Sequence, residues 1–236
     1  MIPATLNETR AMALGPLERR PSLKKRTYPM GIIRSLYDRH LLPKVLNTLM
    51  KSPEMTRIRA RWVPQVSGRV LEIGVGSGLN LPFYSSDAQV FAVDPSEELQ
   101  VYAREVAEAH GTNVEFAAES GETLPADNQS FDAAVITWTL CTIPDPFAAL
   151  MELRRVLKPG GKVIFAEHGL SPDAHIAKWQ KRINPIWQPV AGGCNLNRCP
   201  DVLFSEAGFA FDEIQRGYIA GPKFATYTYQ GAARLM

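Results

Sequence analysis

Three glycines alternate with other residues directly after an apolar run in the segment RVLEIGVGSGLN, residues 69–80. The apolar run is typical of a buried strand, and glycines at positions 74, 76 and 78 permit backbone angles that other residues avoid. A strand that runs through such a turn into a helix presents backbone N–H groups at the carboxyl edge of a parallel sheet. The segment therefore predicts an α/β domain whose backbone closely approaches a bound ligand.

The spacing of these glycines argues against a dinucleotide site. The dinucleotide fingerprint G-x-G-x-x-G would place its third glycine at residue 79, which is Leu79 here. Asp94 ends the next predicted strand, AQVFAVD, where a carboxylate can accept hydrogen bonds from both ribose hydroxyls of an adenosine ligand. An alternative for Asp94 is a helix cap before Pro95 and Ser96. Together the two features favour an adenosine ligand that is not a dinucleotide.

The rest of the chain alternates between helix and strand patterns. Amphipathic helices are predicted at SEELQVYAREVAEAHG and PFAALMELRRVL, and further strands at NVEFAA, FDAAVITW, KVIFAEH, AFDEIQRGYI and KFATYTYQGAA. The last two strands have no long helix between them, which indicates an antiparallel strand at one end of the sheet. The predicted fold is α/β, a Rossmann-like doubly wound sheet of seven mostly parallel strands with one antiparallel strand and an N-terminal helical cap.

The N-terminal region divides into two patterns. Residues 1–29 carry prolines and the basic cluster RRPSLKKR without the apolar core of a secretory signal, and they predict a flexible tail. Met30 is an alternative natural start. From Ile32 to Met50 apolar residues recur at helical spacing, with a bend predicted at Pro43. This helix either packs on the domain or, because basic residues accompany the apolar stripe, lies at a membrane interface.

Composition narrows the classes of function. The net charge of +2 argues against a dedicated nucleic-acid binder, and no apolar run reaches the roughly 18 residues of a membrane-spanning helix. The three cysteines, Cys141, Cys194 and Cys199, are too few for a disulfide framework and predict reduced thiols in a cytoplasmic protein. Cys194 and Cys199 lack a matching His/Cys pair, so no metal site is predicted.

Five segments in order resemble the motifs of the class I S-adenosylmethionine-dependent methyltransferases: LEIGVGSG, VFAVDPS, ESGETLP, FDAAVITWTL and LRRVLKPGGKVIFAE. The resemblance implies S-adenosyl-L-methionine as cofactor, with Glu72 under its amino group, the glycine loop at its methionyl part and Asp94 on the ribose. It implies that residues 120–122 flank the adenine and that residues 138–140 line the wall beside the sulfonium. The implied cofactor-binding residues are Glu72, Gly74, Gly76, Gly78, Asn80, Asp94, Pro95, Ser120, Gly121, Glu122, Thr137, Trp138 and Leu140.

The resemblance also implies a division of the chain. We predict a single methyltransferase domain over residues 30–236, after the tail. Its parts are N-terminal helices (30–64), a cofactor-binding core (65–170), an acceptor-side insertion (171–209) and terminal strands (210–236).

A narrower resemblance concerns the methyl acceptor. The run AEH…W…W…V..GC…R, with NLPFY and TLCTI, resembles the small alkyl-thiol S-methyltransferases, which in turn resemble bacterial proteins labelled phospholipid N-methyltransferases. It implies direct in-line transfer to a small thiol such as hydrogen sulfide or methanethiol. His168 lies at the predicted ligand edge, where a near-neutral imidazole suits deprotonation of the acceptor, although it is also explained as a structural histidine. Predicted catalytic residues are His168, Arg198 and Asn195, and predicted substrate-binding residues are Tyr37, His40, Cys141, Trp187 and Cys194.

Other functions stay open at this point. The first is an ethanolamine phospholipid or quinone-type methyltransferase that contacts a membrane surface through residues 31–51. The second is a cofactor-binding module without catalysis. The third, a dinucleotide oxidoreductase, is disfavoured by Leu79. A nucleic-acid partner is not expected, and the pattern indicates no particular oligomeric state.

Overall fold

A computed structural model describes residues 47–236. They form one seven-stranded sheet with the strand order β3-β2-β1-β4-β5-β7-β6. The strands are β1 Gly68–Ile73, β2 Ala88–Val93, β3 Val114–Ala117, β4 Phe131–Thr137, β5 Leu157–His168, β6 Phe209–Tyr218 and β7 Tyr227–Leu235. Strands β1 to β5 pair in parallel, whereas β7 is antiparallel to both β5 and β6. The predicted fold class, with its single antiparallel strand, is confirmed.

The helices are α1 Pro53–Trp62, α2 Glu97–His110, α3 Pro146–Val156, α4 Ala174–Val190, α5 Pro200–Glu206 and α6 Lys223–Thr226. Local sequence sets the ends of α2 and α3. The Ser96 hydroxyl accepts from the N–H of Leu99, Asp145 accepts from that of Ala148, and Gly111 ends α2 in the left-handed region at φ 63°. Helix α4 was not predicted, because it contains Pro185 and Pro189, residues that normally interrupt a helix.

Two apolar clusters cover the two faces of the sheet, as the alternation of side chains along a strand requires. In β1, Leu71 and Ile73 join the cluster that packs against α3, whereas Val70 faces the cluster beneath α1 and α2. Trp62 of α1 is almost fully buried in the second cluster. Helix α1 therefore packs on the sheet.

Several predictions on the N-terminal region lie outside the described residues. These are the tail over residues 1–29, the candidate substrate residues Tyr37 and His40, and the apolar stripe up to residue 46. Within residues 47–236, no helix has the length and apolar character needed to cross a bilayer.

Candidate functional site

The three glycines of the loop after β1 have different surroundings, although all have positive φ angles. A Cβ atom on Gly74 would collide with the side chain of Thr139, and one on Gly78 would lie 2.8 Å from the Cα of Ala103 in α2. A Cβ on Gly76 would meet nothing within 4 Å. Gly74 and Gly78 thus allow close packing of the loop, and Gly76 faces the open space in which a ligand can approach the backbone.

Asp94 lies beside this loop at the carboxyl end of β2. Its Oδ2 accepts from the N–H of Gly76 at 2.9 Å, and its Oδ1 accepts from the N–H of Ser96 at 2.9 Å. Burial raises the pKa of the carboxyl, and these two hydrogen bonds oppose that rise. Ser96, and not Asp94, caps α2. Each carboxylate oxygen has two acceptor sites, so Asp94 keeps capacity for ribose hydroxyls.

Glu72, at the end of β1, is buried in a network of protein groups. Its carboxylate accepts from Asn80 Nδ2 and from the Tyr84 hydroxyl, both at 2.9 Å. Asn80 Nδ2 also donates to Thr137 Oγ1 at 3.0 Å, and its Oδ1 accepts from Arg59 Nε at 3.1 Å. Burial raises the pKa of Glu72 to about 7, although these partners oppose the rise. The network fixes the orientation of the Glu72 side chain beneath the glycine loop.

Trp138 follows β4 in a strained conformation, with a left-handed φ of 50°. The Arg59 guanidinium lies over its ring, 4.7 Å from the centroid. The Trp138 indole N–H is buried and has no hydrogen-bond partner among the described residues. A bound ligand with an acceptor atom would satisfy this donor. Together with the open face of Gly76 and the capacity of Asp94, this makes the edge suitable for S-adenosylmethionine.

The residues predicted at the adenine have internal partners. The Glu122 carboxylate accepts from Ser120 Oγ at 3.1 Å and from the N–H of Asp145 at 2.7 Å. A Cβ on Gly121 would lie 2.6 Å from Ile73 Cγ2, so this glycine permits close packing. Pro95 is exposed at the edge. The adenine assignment of residues 120–122 stays a prediction.

Sequence reasoning missed the role of Glu167, at the end of β5. Its buried carboxylate accepts from three successive backbone N–H groups, those of Thr139 at 2.8 Å, Leu140 at 2.9 Å and Cys141 at 3.3 Å. Burial raises its pKa to about 7 against these hydrogen bonds. Glu167 therefore fixes the loop that follows Trp138. The only signal in the sequence was a carboxylate at the end of a strand.

Two thiols and an imidazole meet beside this loop. The Cys194 sulfur lies 3.4 Å from the Cys141 sulfur, and 3.6 Å and 3.7 Å from Nδ1 and Nε2 of His168. The hydrogen bond with Cys194 and burial raise the pKa of Cys141 well above its usual range. Burial opposes the charged form of His168, but the neighbouring Cys141 and Glu167 outweigh it and raise the pKa of His168. The structure thus brings together the predicted residues His168, Cys141 and Cys194.

Arg198 and Asn195 hold the same loop from the other side. Arg198 Nη1 donates to the carbonyls of Leu140 and Ile143, and burial lowers the pKa of Arg198. Asn195 Nδ2 donates to the carbonyl of Cys141 at 3.0 Å. In the structure these two side chains bind backbone carbonyls, so their predicted contact with the acceptor stays a prediction.

Trp187, on α4, is the remaining predicted substrate residue. Its ring meets that of Phe224 edge to face, with centroids 5.6 Å apart. Its indole N–H is buried and has no partner in the described part of the chain. Helix α4 is tied to the end of β5 by the buried Gln180, whose side-chain amide donates to the carbonyl of Gly169 at 3.0 Å.

Comparison with known proteins agrees with this geometry. Residues 71–165 match the family model described as a methyltransferase domain. A thiol S-methyltransferase of Rattus norvegicus is 37% identical over 134 residues, 55% of this chain and 54% of the relative. A phosphatidylethanolamine N-methyltransferase of Cereibacter sphaeroides is 33% identical over 118 residues, 49% of this chain and 58% of the relative. The chain thus spans about half the length of the curated relatives it matches.

Among solved structures, a SAM-dependent methyltransferase from Methanosarcina mazei superposes with a TM-score of 0.56 and 22% identity, over 78% of this chain and 98% of that one. At this identity the similarity concerns the fold. The family match therefore places a methyltransferase domain over residues 71–165, and the glycine loop and Asp94 of this domain suit S-adenosyl-L-methionine as its cofactor.

Proposed function

We propose that the protein transfers the methyl group of S-adenosylmethionine directly to a small thiol. The observation that carries the proposal is the group of two thiols and one imidazole at the carboxyl ends of β4 and β5. Cys141 Sγ lies 3.6 Å from the carbonyl oxygen of Trp138, so this group adjoins the residue predicted to line the sulfonium wall. The 37% sequence identity to part of a thiol S-methyltransferase supports the same acceptor class.

The chain's own residues would bind and orient the reactants. When bound, the cofactor supplies an electrophilic methyl group on a sulfonium leaving group. Asp94 and Gly76 would hold its nucleoside end, and Trp138 would limit the space around the methyl. Alignment of donor and acceptor can supply about 7–11 kcal/mol of the barrier, so direct transfer needs no enzyme nucleophile. Cys141 and Cys194 therefore line the acceptor site in this proposal.

The carboxylates at this edge are already hydrogen-bonded to protein groups, and this favours a thiol over an amine or hydroxyl acceptor. An amine or hydroxyl needs a base to remove its proton, whereas a thiol with a pKa near about 8.5 is already ionised to a few per cent at neutral pH. Glu72 accepts from Asn80 and Tyr84, and Glu167 accepts from three backbone N–H groups. Both carboxylates are thus engaged by protein donors, which leaves His168, whose Nδ1 lies 3.6 Å from Cys194 Sγ, as the candidate base beside the sulfurs.

The first test removes the imidazole. His168→Gln should lower kcat/KM for methanethiol or hydrogen sulfide by about 10²–10⁴-fold, the usual contribution of a positioned acid–base group. Its affinity for S-adenosylmethionine should stay within about threefold of the wild type, under ~0.7 kcal/mol. His110→Gln, an exposed residue at the end of α2, is the matched control. Unchanged thiol turnover in His168→Gln would remove His168 from the acceptor site.

A second acceptor class has an observation in its favour. On α4, the exposed side chains Trp179 and Ile186 are seven residues apart and thus share a face with the exposed Arg182 between them. Apolar and basic side chains on one helix face suit an anionic membrane surface. The relative from Cereibacter sphaeroides carries the corresponding name. Methylation of vesicle-borne phosphatidylethanolamine that falls sharply in Trp179→Ser/Ile186→Ser would support this alternative.

A further inference from the structure

Three metal-ligand side chains converge from three separate parts of the chain. Cys141 lies in the loop after β4, His168 ends β5, and Cys194 lies between α4 and α5. One ligand atom from each lies within 4.8 Å of the others. The two cysteines are 53 residues apart, so their spacing predicted no metal site.

The distances between these atoms can be compared with those of a tetrahedral zinc site. Zinc–sulfur bonds of about 2.3 Å and zinc–nitrogen bonds of about 2.0 Å put two sulfurs roughly 3.8 Å apart, and a sulfur and a nitrogen roughly 3.5 Å apart. Here the sulfurs are 3.4 Å apart, and Cys194 Sγ lies 3.6 Å from His168 Nδ1. To bind an ion, the sulfurs would separate by a few tenths of an ångström, and the imidazole, whose two nitrogens lie almost equally far from Cys194 Sγ, would turn one nitrogen toward it.

We infer that Cys141, His168 and Cys194 bind one Zn²⁺ ion with its fourth position open to the acceptor thiol. Two cysteines and one histidine are a ligand set of catalytic zinc sites that keep the fourth position for water or substrate. Cys141 and His168 are buried, whereas Cys194 is half-buried, so the ion would be reached from the side of Cys194. The binding site stands on this geometry alone, and its role in catalysis rests on the proposed thiol methylation.

The chemical step would proceed as follows. As the acceptor thiol replaces water on zinc, its S–H bond breaks and the proton passes to solvent, which leaves a thiolate held by the ion. The acceptor sulfur uses a lone pair to form a bond to the methyl carbon. The bond from that carbon to the sulfonium breaks, and its electron pair stays with the cofactor sulfur, giving S-adenosylhomocysteine. The product is a neutral thioether, a weaker ligand than a thiolate, and it leaves the zinc.

The first measurement is the metal content of the full chain, purified from zinc-supplemented medium without chelators. One zinc per chain is expected by mass spectrometry of the metal. After exchange with Co²⁺, a thiolate-to-cobalt charge-transfer band is expected in the absorption spectrum, and added methanethiol should change the cobalt ligand-field bands. Substoichiometric zinc with no charge-transfer band would overturn the inference. A Cys141–Cys194 disulfide found by mass spectrometry in the chain as purified under reducing conditions, without chelators, would do the same.

The cysteine variants provide the matched control. Cys141→Ser and Cys194→Ser should weaken zinc affinity by more than the roughly 10–100-fold that loss of an outer partner of a ligand costs. Cys199→Ser changes the third cysteine, outside the cluster, and should retain one zinc. Circular dichroism and the thermal unfolding transition verify that each variant is folded. Equal zinc content in all three variants would place the metal elsewhere.

The two proposals can fail independently. Thiol turnover by a zinc-free chain, unaffected by chelators or added zinc, would overturn the zinc inference and leave the proposed function in place. A chain that binds zinc through these three residues but methylates no thiol would retain the metal site and overturn its catalytic role together with the proposed function.

Discussion

The two halves of the ligand edge are built in different ways. The cofactor half, at β1 and β2, consists of short local segments in which Gly76 and Asp94 contact each other directly. The acceptor half, at β4 and β5, is a loop held by distant residues, with Glu167 binding its N–H groups and Arg198 its carbonyls. The difference indicates that the cofactor half is set by local backbone geometry, and the acceptor half by packing of the whole domain.

The largest expected effect is in the acceptor half. Glu167→Ala leaves three backbone N–H groups without their acceptor and should lower the free energy of unfolding by about 3 kcal/mol or more, at ~1–3 kcal/mol for each buried donor. Glu167→Gln keeps an acceptor oxygen and should fall between this variant and the wild type. Denaturant unfolding measures both, with the exposed Glu105→Ala as control. If the halves are separate, folded Glu167→Gln loses thiol turnover but binds S-adenosylmethionine normally.

A pair of glycine variants tests the cofactor half. Gly74→Ala places a Cβ against Thr139 in a left-handed conformation, which should cost about 2–4 kcal/mol of stability through strain and overpacking. Gly76→Ala carries only the conformational cost of about 1–2 kcal/mol, because its Cβ enters open space. For cofactor affinity the order should reverse: at low temperature, where both variants are folded, Gly76→Ala should lose more affinity than Gly74→Ala. Equal affinity losses would contradict the assignment of Gly76 to the ligand side.

Asp94→Asn should reduce the affinity for S-adenosylmethionine at least tenfold, about 1.4 kcal/mol, because it removes charge-assisted hydrogen bonds to the ribose. The amide oxygen still accepts one backbone N–H, so the loss of stability should be smaller than in Asp94→Ala. Calorimetry measures the affinity, and the exposed Asp127→Asn is the control. Unchanged binding in Asp94→Asn would show that the ribose lies elsewhere.

The pH dependence of stability should also change. The pKa of Glu72 is about 7 in the folded protein, above its ordinary value of 4.5, so the folded state binds more protons than the unfolded state between these values. Stability attributable to Glu72 therefore falls as pH rises through this window, by up to about 1.4 kcal/mol per pH unit. Glu72→Gln should flatten the slope of unfolding free energy against pH. An identical slope in wild type and variant would contradict the shift.

Sequence reasoning succeeded where local spacing carries the information. The glycine turn and the strand alternation depend on neighbouring residues, and they predicted the fold and the positions of Gly76 and Asp94. The sequence indicated residues of the acceptor half, but it did not indicate the groups to which they bind. Glu167 binds backbone N–H groups, which leave no trace in side-chain patterns, and Arg198 binds backbone carbonyls. Cys141 and Cys194 lie 53 residues apart in the sequence, and only the packing of the whole domain brings their sulfurs within 3.4 Å.

The most direct test of the account is a competition between acceptors. The wild-type protein would be incubated with methyl-labelled S-adenosylmethionine, methanethiol and vesicles containing phosphatidylethanolamine in the same reaction, and the label in each product would be counted. The thioether is expected to carry the label, with or without vesicles. Label in the lipid and none in any thiol would contradict it and favour the membrane-surface alternative.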